Sequence, residues 1–103
     1  MNPPAISIFE QAGDFAENKD IAKRLRENVI IPAMRSGRAV TIDFSRVTGT
    51  TQSFIHALIS GPMRQFRAFA LDNLFFENCN AEVRAVVRIV FAYMQESMDA
   101  PEE

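Results

Sequence analysis

Read from its amino end, the chain switches repeatedly between two kinds of apolar spacing. Ile6-Ser7-Ile8-Phe9 alternates apolar and polar positions and predicts a short first strand, which Gly13 and Asp14 interrupt. From Asn18 to Arg35 the period lengthens: Ile21, Leu25 and Val29 recur every four residues and give a helix one apolar stripe. Pro32 is expected to kink or end the regular part of that helix, and Gly37 to close it. Ala39 to Phe44 is a compact run rich in β-branched residues and predicts a second strand. Ser45 to Gln52 is polar and contains Gly49 and three threonines, so it reads as a loop. Ser53 stands where a helix N-cap belongs, and Ile55, Leu58, Ile59, Pro62, Phe66 and Phe69 then continue one face. Gly61-Pro62 is expected to divide this stretch into two helical pieces. Leu74-Phe75-Phe76 predicts a buried strand, with Asn78 and Asn80 in the turn out of it. A last helix runs from about Ala81 to Glu96, with Val83, Val86, Val87, Val90 and Met94 facing inward and Arg84, Arg88 and Gln95 outward.

Strands that alternate with helices predict an α/β domain: a small, mainly parallel or mixed sheet of about four strands with helices packed on it. Whether residues 10–17 add a strand stays open at this level. The loops that carry function in such a fold lie at the carboxyl ends of the strands. A small open sheet also has edges that must be guarded or paired, so a homodimer is expected, with the short first strand as an edge. The whole chain, 1–103, reads as a single domain, with mobile ends at about 1–4 and 98–103.

Composition narrows the function classes. Hydrophobic residues make up 48% of the 103 positions and charged residues 23%, an ordinary globular mixture. The net charge is −2 and the nine arginines are dispersed between Arg24 and Arg88, which argues against a dedicated nucleic-acid module. Cys79 is the one cysteine, so no internal disulfide can form. The opening residues lack the basic and apolar regions of a signal peptide, and the apolar runs are too short to cross a membrane. The expected location is the cytoplasm.

Few residues offer chemistry. Glycine loops of phosphate-cradling spacing are absent, and His56 and Cys79 are single, so neither a metal site nor a cofactor is expected. Ser53 and His56, three apart, could share one side of a helix as nucleophile and base, but no acid nearby in sequence would orient the histidine. A hydrolase built on that pair is the remote alternative, and catalytic residues are otherwise not assigned. The informative stretch is Asp43-Phe44-Ser45-Arg46-Val47 followed by Thr51-Gln52-Ser53-Phe54: a strand ends in Asp, a polar loop follows and a Ser opens a helix. A helix start presents unpaired N–H groups and a partial positive charge, so it accommodates an anion, including a phosphate carried by Ser53 itself. The plainer role for Ser53 is that of helix cap.

Those residues resemble the STAS-like family of unknown function, a distant relative of the STAS domains that include anti-sigma factor antagonists. The antagonists carry Asp-Leu-Ser-Gly-Val, then Asp-Ser-Ser-Gly-Leu. Asp43, Ser45 and Val47 match the first part, and Ser53 matches the second serine of the second part, which a partner kinase phosphorylates in the antagonists. Thr51, Gln52 and Phe54 depart from the antagonist pattern, and the Gln-Ser-Phe form fits the STAS-like family better. That family commonly continues with acidic residues, where this chain has Ile55, His56 and Ala57. The resemblance spans roughly residues 18–96. It implies a STAS-like fold and a regulatory protein-binding module whose partner is an ATP-binding, histidine-kinase-like protein. On this reading Ser53 is phosphoacceptor or cap. The partner-binding loop comprises Asp43, Ser45, Arg46, Thr50, Thr51, Gln52 and Phe54. The alternative is a small-ligand or nucleotide sensor in which the hydroxyls of Thr50, Thr51 and Ser53 join the helix start in holding a phosphate.

Overall fold

The computed structural model describes residues 4–99, with side chains to residue 96. Strand β1 (Ala5–Ser7) leads into a short helix α1 (Ile8–Ala12), and β2 (Phe15–Ala16) follows. Helix α2 (Lys19–Leu25) continues through a π segment (Arg26–Ile30) into α3 (Ile31–Arg35). Strands β3 (Val40–Asp43) and β4 (Gly49–Thr50) precede the long helix α4 (Gln52–Phe66). Helix α5 (Ala68–Asn73), strand β5 (Leu74–Glu77) and helix α6 (Ala81–Asp99) complete the order.

All strand pairs are parallel, as the alternation predicts. They form not one sheet of about four strands but a three-stranded sheet, β1-β3-β5, and a separate pair, β2-β4. In the larger sheet Ile6 stands beside Ile42 and Ile42 beside Phe76, while Val40 pairs with Leu74. This row faces the core. The next row, Ala5-Thr41-Phe75, faces the other way, and Phe75 is left 48% exposed. β1 is an edge strand, as expected, and β5 is the opposite edge. Pro4 extends the ladder, its carbonyl accepting the Thr41 N–H at 3.0 Å, and α6 runs on through Asp99. The remainder of the expected mobile ends, residues 1–3 and 100–103, lies outside the described residues.

Residues 10–17 do contain a strand, and the stretch Ser45 to Gln52 is not simply a loop. Thr48 donates both its N–H and its hydroxyl to the Asp14 carbonyl, at 2.7 and 3.0 Å, and Thr51 N–H reaches the Ala16 carbonyl at 3.3 Å. Gly49 lies close against Phe15: a Cβ at that position would stand 2.8 Å from the ring, which would have to turn away. Two residues on each side, joined across more than thirty intervening positions, leave no periodic mark in the sequence, so only the fold reveals the pair.

Pro32 interrupts the regular helix without ending it, and Pro62 acts differently from its sequence reading. Pro32 does not end the first long helix. The turn ahead of it widens into the π segment, with Ile31 N–H on the Arg26 carbonyl, which makes room for a proline ring in a continuing helix. Gly61-Pro62 does not divide the later segment; α4 is continuous across it, and the break falls at Arg67, whose φ of 48° is left-handed. Burial explains this. Phe54, Ile55, Leu58, Ile59 and Met63 have no exposed surface, and each buried side chain of this size is worth about 1.5–3 kcal/mol, so together they outweigh a proline cost of about 3 kcal/mol. Gly61 is a close-approach residue rather than a breaker, because a Cβ there would meet Arg26 Cδ at 3.1 Å.

Candidate functional site

Two polar constellations carry the residues singled out from the sequence. The first lies at the carboxyl end of the larger sheet. Asp43 Oδ1 accepts from Ser45 N–H at 2.9 Å, from Ser45 Oγ at 2.8 Å and from Asn78 Nδ2 at 2.9 Å. The donation by Asn78 first, and then the two donations by Ser45, hold the Asp43 carboxyl below the usual carboxylate range, against a smaller opposing effect of burial. The Asn78 bond ties the end of β3 to the turn after β5 and the two Ser45 bonds close the chain on itself just beyond β3, so Asp43 and Ser45 serve as a clamp more than as a free binding edge. Asn78 itself takes a left-handed φ of 59° in that turn. Beside it Asn80 accepts Val83 N–H at 2.8 Å as the cap of α6 and donates to the Thr48 carbonyl at 3.0 Å. Arg46, also left-handed at φ 70°, lays its guanidinium 5.4 Å from the centre of the Phe9 ring. Cys79 is half-buried, and burial pushes its thiol up from the ordinary value, which suits a packing residue better than a nucleophile.

The second constellation surrounds the start of α4. The cap is Thr51, not Ser53: Thr51 Oγ1 accepts the Phe54 N–H at 3.1 Å. That geometry places Ser53 in the first turn, exposed, with the backbone N–H groups of Gln52 and Ser53 lacking an intrahelical acceptor. Two residues assigned to the partner-binding loop are turned inward. Phe54 is fully buried, and Thr50 is 8% exposed with its hydroxyl donated to the Ala16 carbonyl at 2.7 Å. Their hydroxyl and ring are therefore committed to the scaffold. Of the three hydroxyls expected to hold a phosphate, that of Thr50 is turned inward onto the Ala16 carbonyl, that of Thr51 accepts the Phe54 N–H, and that of Ser53 is exposed.

Ser53 instead opens onto a groove of about 520 Å³ between α2, α4 and α6. One wall is a stripe of Lys19, Lys23 and Arg26, spaced i, i+4 and i+7 along α2 and into the π segment. The floor is α4, with Gln52, Ser53, His56, Ala57 and Ser60. The far wall is Ile89, Val90 and Tyr93 of α6. No carboxylate lines it. Arg26 is anchored by donating to the Ala57 carbonyl at 3.3 Å and by a 3.4 Å ion pair with Glu27 at the outer side. Ser53 and His56 both face this groove, yet among the described residues no side-chain hydrogen bond joins them or orients the histidine. The stripe Lys19-Lys23-Arg26 was legible as a helical spacing, but nothing in sequence said that α6 would enclose it. Among the described residues no cluster of three or more His, Cys, Asp or Glu could hold a metal, and no helix is long and apolar enough to cross a membrane.

Comparison with known families decides the kinship. The profile of the family described as STAS-like domain of unknown function (DUF4325) matches residues 22–84, more than half of the chain. The protein belongs to this STAS-like family. The matched segment runs from α2 through the clamp at Asp43 and the start of α4 into the first turn of α6; it includes the Asp43 clamp and the α4 floor of the groove, while Lys19 and the α6 wall of Ile89, Val90 and Tyr93 lie outside it. No curated protein and no solved structure matches the chain.

Two expected outcomes follow from the geometry of the STAS-like domain. Thr51→Ala should lower stability by about 1 kcal/mol, whereas Ser53→Ala should stay within about 0.5 kcal/mol of the wild type, as read from urea midpoints. The reverse order would make Ser53 the cap. Asp43 has a folded-state pKa below its unfolded value, so its contribution is fully present above the ordinary carboxylate range and is lost as pH falls through the lowered folded value. Asp43→Asn should therefore be less stable than the wild type near neutral pH, and the gap should shrink at about pH 3. A gap that is constant with pH would show that the charge contributes nothing.

Proposed function

We propose that this STAS-like domain is a regulatory protein-binding module in which Ser53 is the phosphoacceptor and the partner is an ATP-binding, histidine-kinase-like protein. The observation that carries the reading is the position of Ser53: exposed in the first turn of α4, uncommitted as a cap, and at a groove walled by Lys19, Lys23 and Arg26. A phosphate there would bring about −1.5 to −2 charges into the field of a helix N-terminus and beside three cations, enough to rewrite the surface a partner reads. The resemblance of Asp43, Ser45, Val47 and Ser53 to the antagonist pattern points in the same direction. Gln52, Ser53 and the exposed ends of Lys19 and Lys23 would form the centre of the docking surface, with Arg46 as a contact from the loop after β3. The domain would act in the cytoplasm, and a homodimer would form along the β1 edge or over the half-exposed Phe75 row, since both leave sheet surface unpaired.

The test is to incubate the domain with ATP and histidine-kinase-like proteins of its native host and to locate phosphate by mass spectrometry. Phosphate on Ser53, with partner affinity shifted at least about tenfold between the phosphorylated and Ser53→Ala forms, is the expected result. An unmodified Ser53, with partner binding indifferent to Ser53→Ala and Ser53→Glu, would overturn the reading. Sedimentation at high protein concentration should show a dimer; a monomer throughout would remove that part alone.

A further inference from the structure

Ser60 sits two turns along α4 from Ser53, at the bottom of the same groove. It is 8% exposed, one of the most buried polar residues of the chain, and its hydroxyl has no hydrogen-bond partner among the described residues. Yet no buried side-chain oxygen or nitrogen is sealed off without a partner, so the Ser60 oxygen keeps contact with solvent, and the solvent it meets is that of the groove it lines. Solvent in the groove satisfies this hydroxyl, and a polar group of a bound ligand can take that solvent's place.

The two walls specify that occupant. In a chain of net charge −2, Lys19 and Lys23 stand on one side with no ion pair among the described residues and no carboxylate in the lining, beside Arg26, which already holds Glu27; this favours an anion there. Opposite them, α6 presents Tyr93 at 69% exposure and Ile89 at 50%, one turn apart, although the other face of that helix is buried in the core. A flat aromatic and an aliphatic side chain side by side make a platform for a planar ring. His56, Gln52 and Ser60 between the walls supply hydrogen-bond groups of both kinds. The volume of about 520 Å³ lies in the range of small-molecule sites, roughly 300–1,000 Å³.

The geometry points to a nucleotide site: the phosphate on Lys19, Lys23 and Arg26, the base against Tyr93 and Ile89, and the polar edge of the ligand on Ser60 and His56. Ser53 contributes no more than one rim hydroxyl, so the site does not rest on phosphorylation. A phosphate on Ser53 would occupy the same cationic wall and exclude the nucleotide.

The experiment is an amide NMR titration of the full chain with AMP, and in parallel with adenosine and with inorganic phosphate. AMP should shift resonances in 19–26, 52–60 and 89–93 saturably at millimolar concentration or below, with each half-ligand at least about tenfold weaker. The double variant Lys19→Glu/Lys23→Glu should weaken AMP at least about tenfold and Tyr93→Ala by about three- to tenfold, while leaving the remaining spectrum folded. Ser60→Ala should weaken AMP but not phosphate. The titration uses the unphosphorylated chain and no partner protein, so its failure is distinguishable from failure of the phosphoacceptor reading. No saturable shift with AMP, shifts outside the groove, or inorganic phosphate binding as tightly as AMP would each overturn the proposal.

Discussion

Helix α4 has to bury nearly everything it carries, and the other elements are arranged to let it. It touches α2, the π segment, α3, α5 and α6, and five of its large side chains have no exposed surface. Close-packed interiors leave little freedom in how that is done. The helix keeps Pro62 inside it, and it needs Gly61 where Arg26 and Ile31 cross over it. The widened turn at Arg26–Ile30 answers the same pressure from the facing side, because it lets the chain carry Pro32 without breaking the helix that packs there.

The ends of the sheet are fastened by short polar side chains. Asp43 gathers Ser45 and Asn78; Asn80 caps α6 and holds the chain before β4; Thr48 and Thr50 fix that chain to residues 14–16. These are local, nearly complete sets of hydrogen bonds, which is how a segment with little apolar surface becomes rigid. The rigidity has a functional consequence. With Thr51 capping and Phe54 buried, the register of the first turn of α4 is set, and Ser53 can only point outward. The aromatic row Phe44-Phe76-Phe91, stacked at 6.2 Å and edge-on at 5.4 Å, fixes α6 over the same end of the sheet. That placement of α6 closes the groove.

Much of the site was visible as residue types and much was misassigned as roles. The Asp43–Ser45 and Thr51–Ser53 patterns stood out because polar residues of that kind at a strand-to-helix junction either cap or bind. Sequence spacing could not say which. Thr51 and Ser53 are both good caps, and the choice between them turned on where the Phe54 ring found its place in the core. Lys19, Lys23 and Arg26, and Ile89 and Tyr93, carry no motif that singles them out in sequence. Each is unremarkable on its own element; their meaning comes from standing across a groove from one another.

The amino-acid sequence by itself determined the alternation of strands and helices, the parallel sheet with β1 at an edge, the inner face of α6 and the STAS-like kinship. Those follow from periodicity and from a dozen near-neighbour residues, which act over one or two turns of chain. The tertiary structure alone decided the split into two sheets, the continuity of α4 through Pro62, the cap at Thr51 and the groove. Each of these balances a local preference against contacts between residues thirty or more positions apart, and the energy of such contacts is set by packing that no local pattern records.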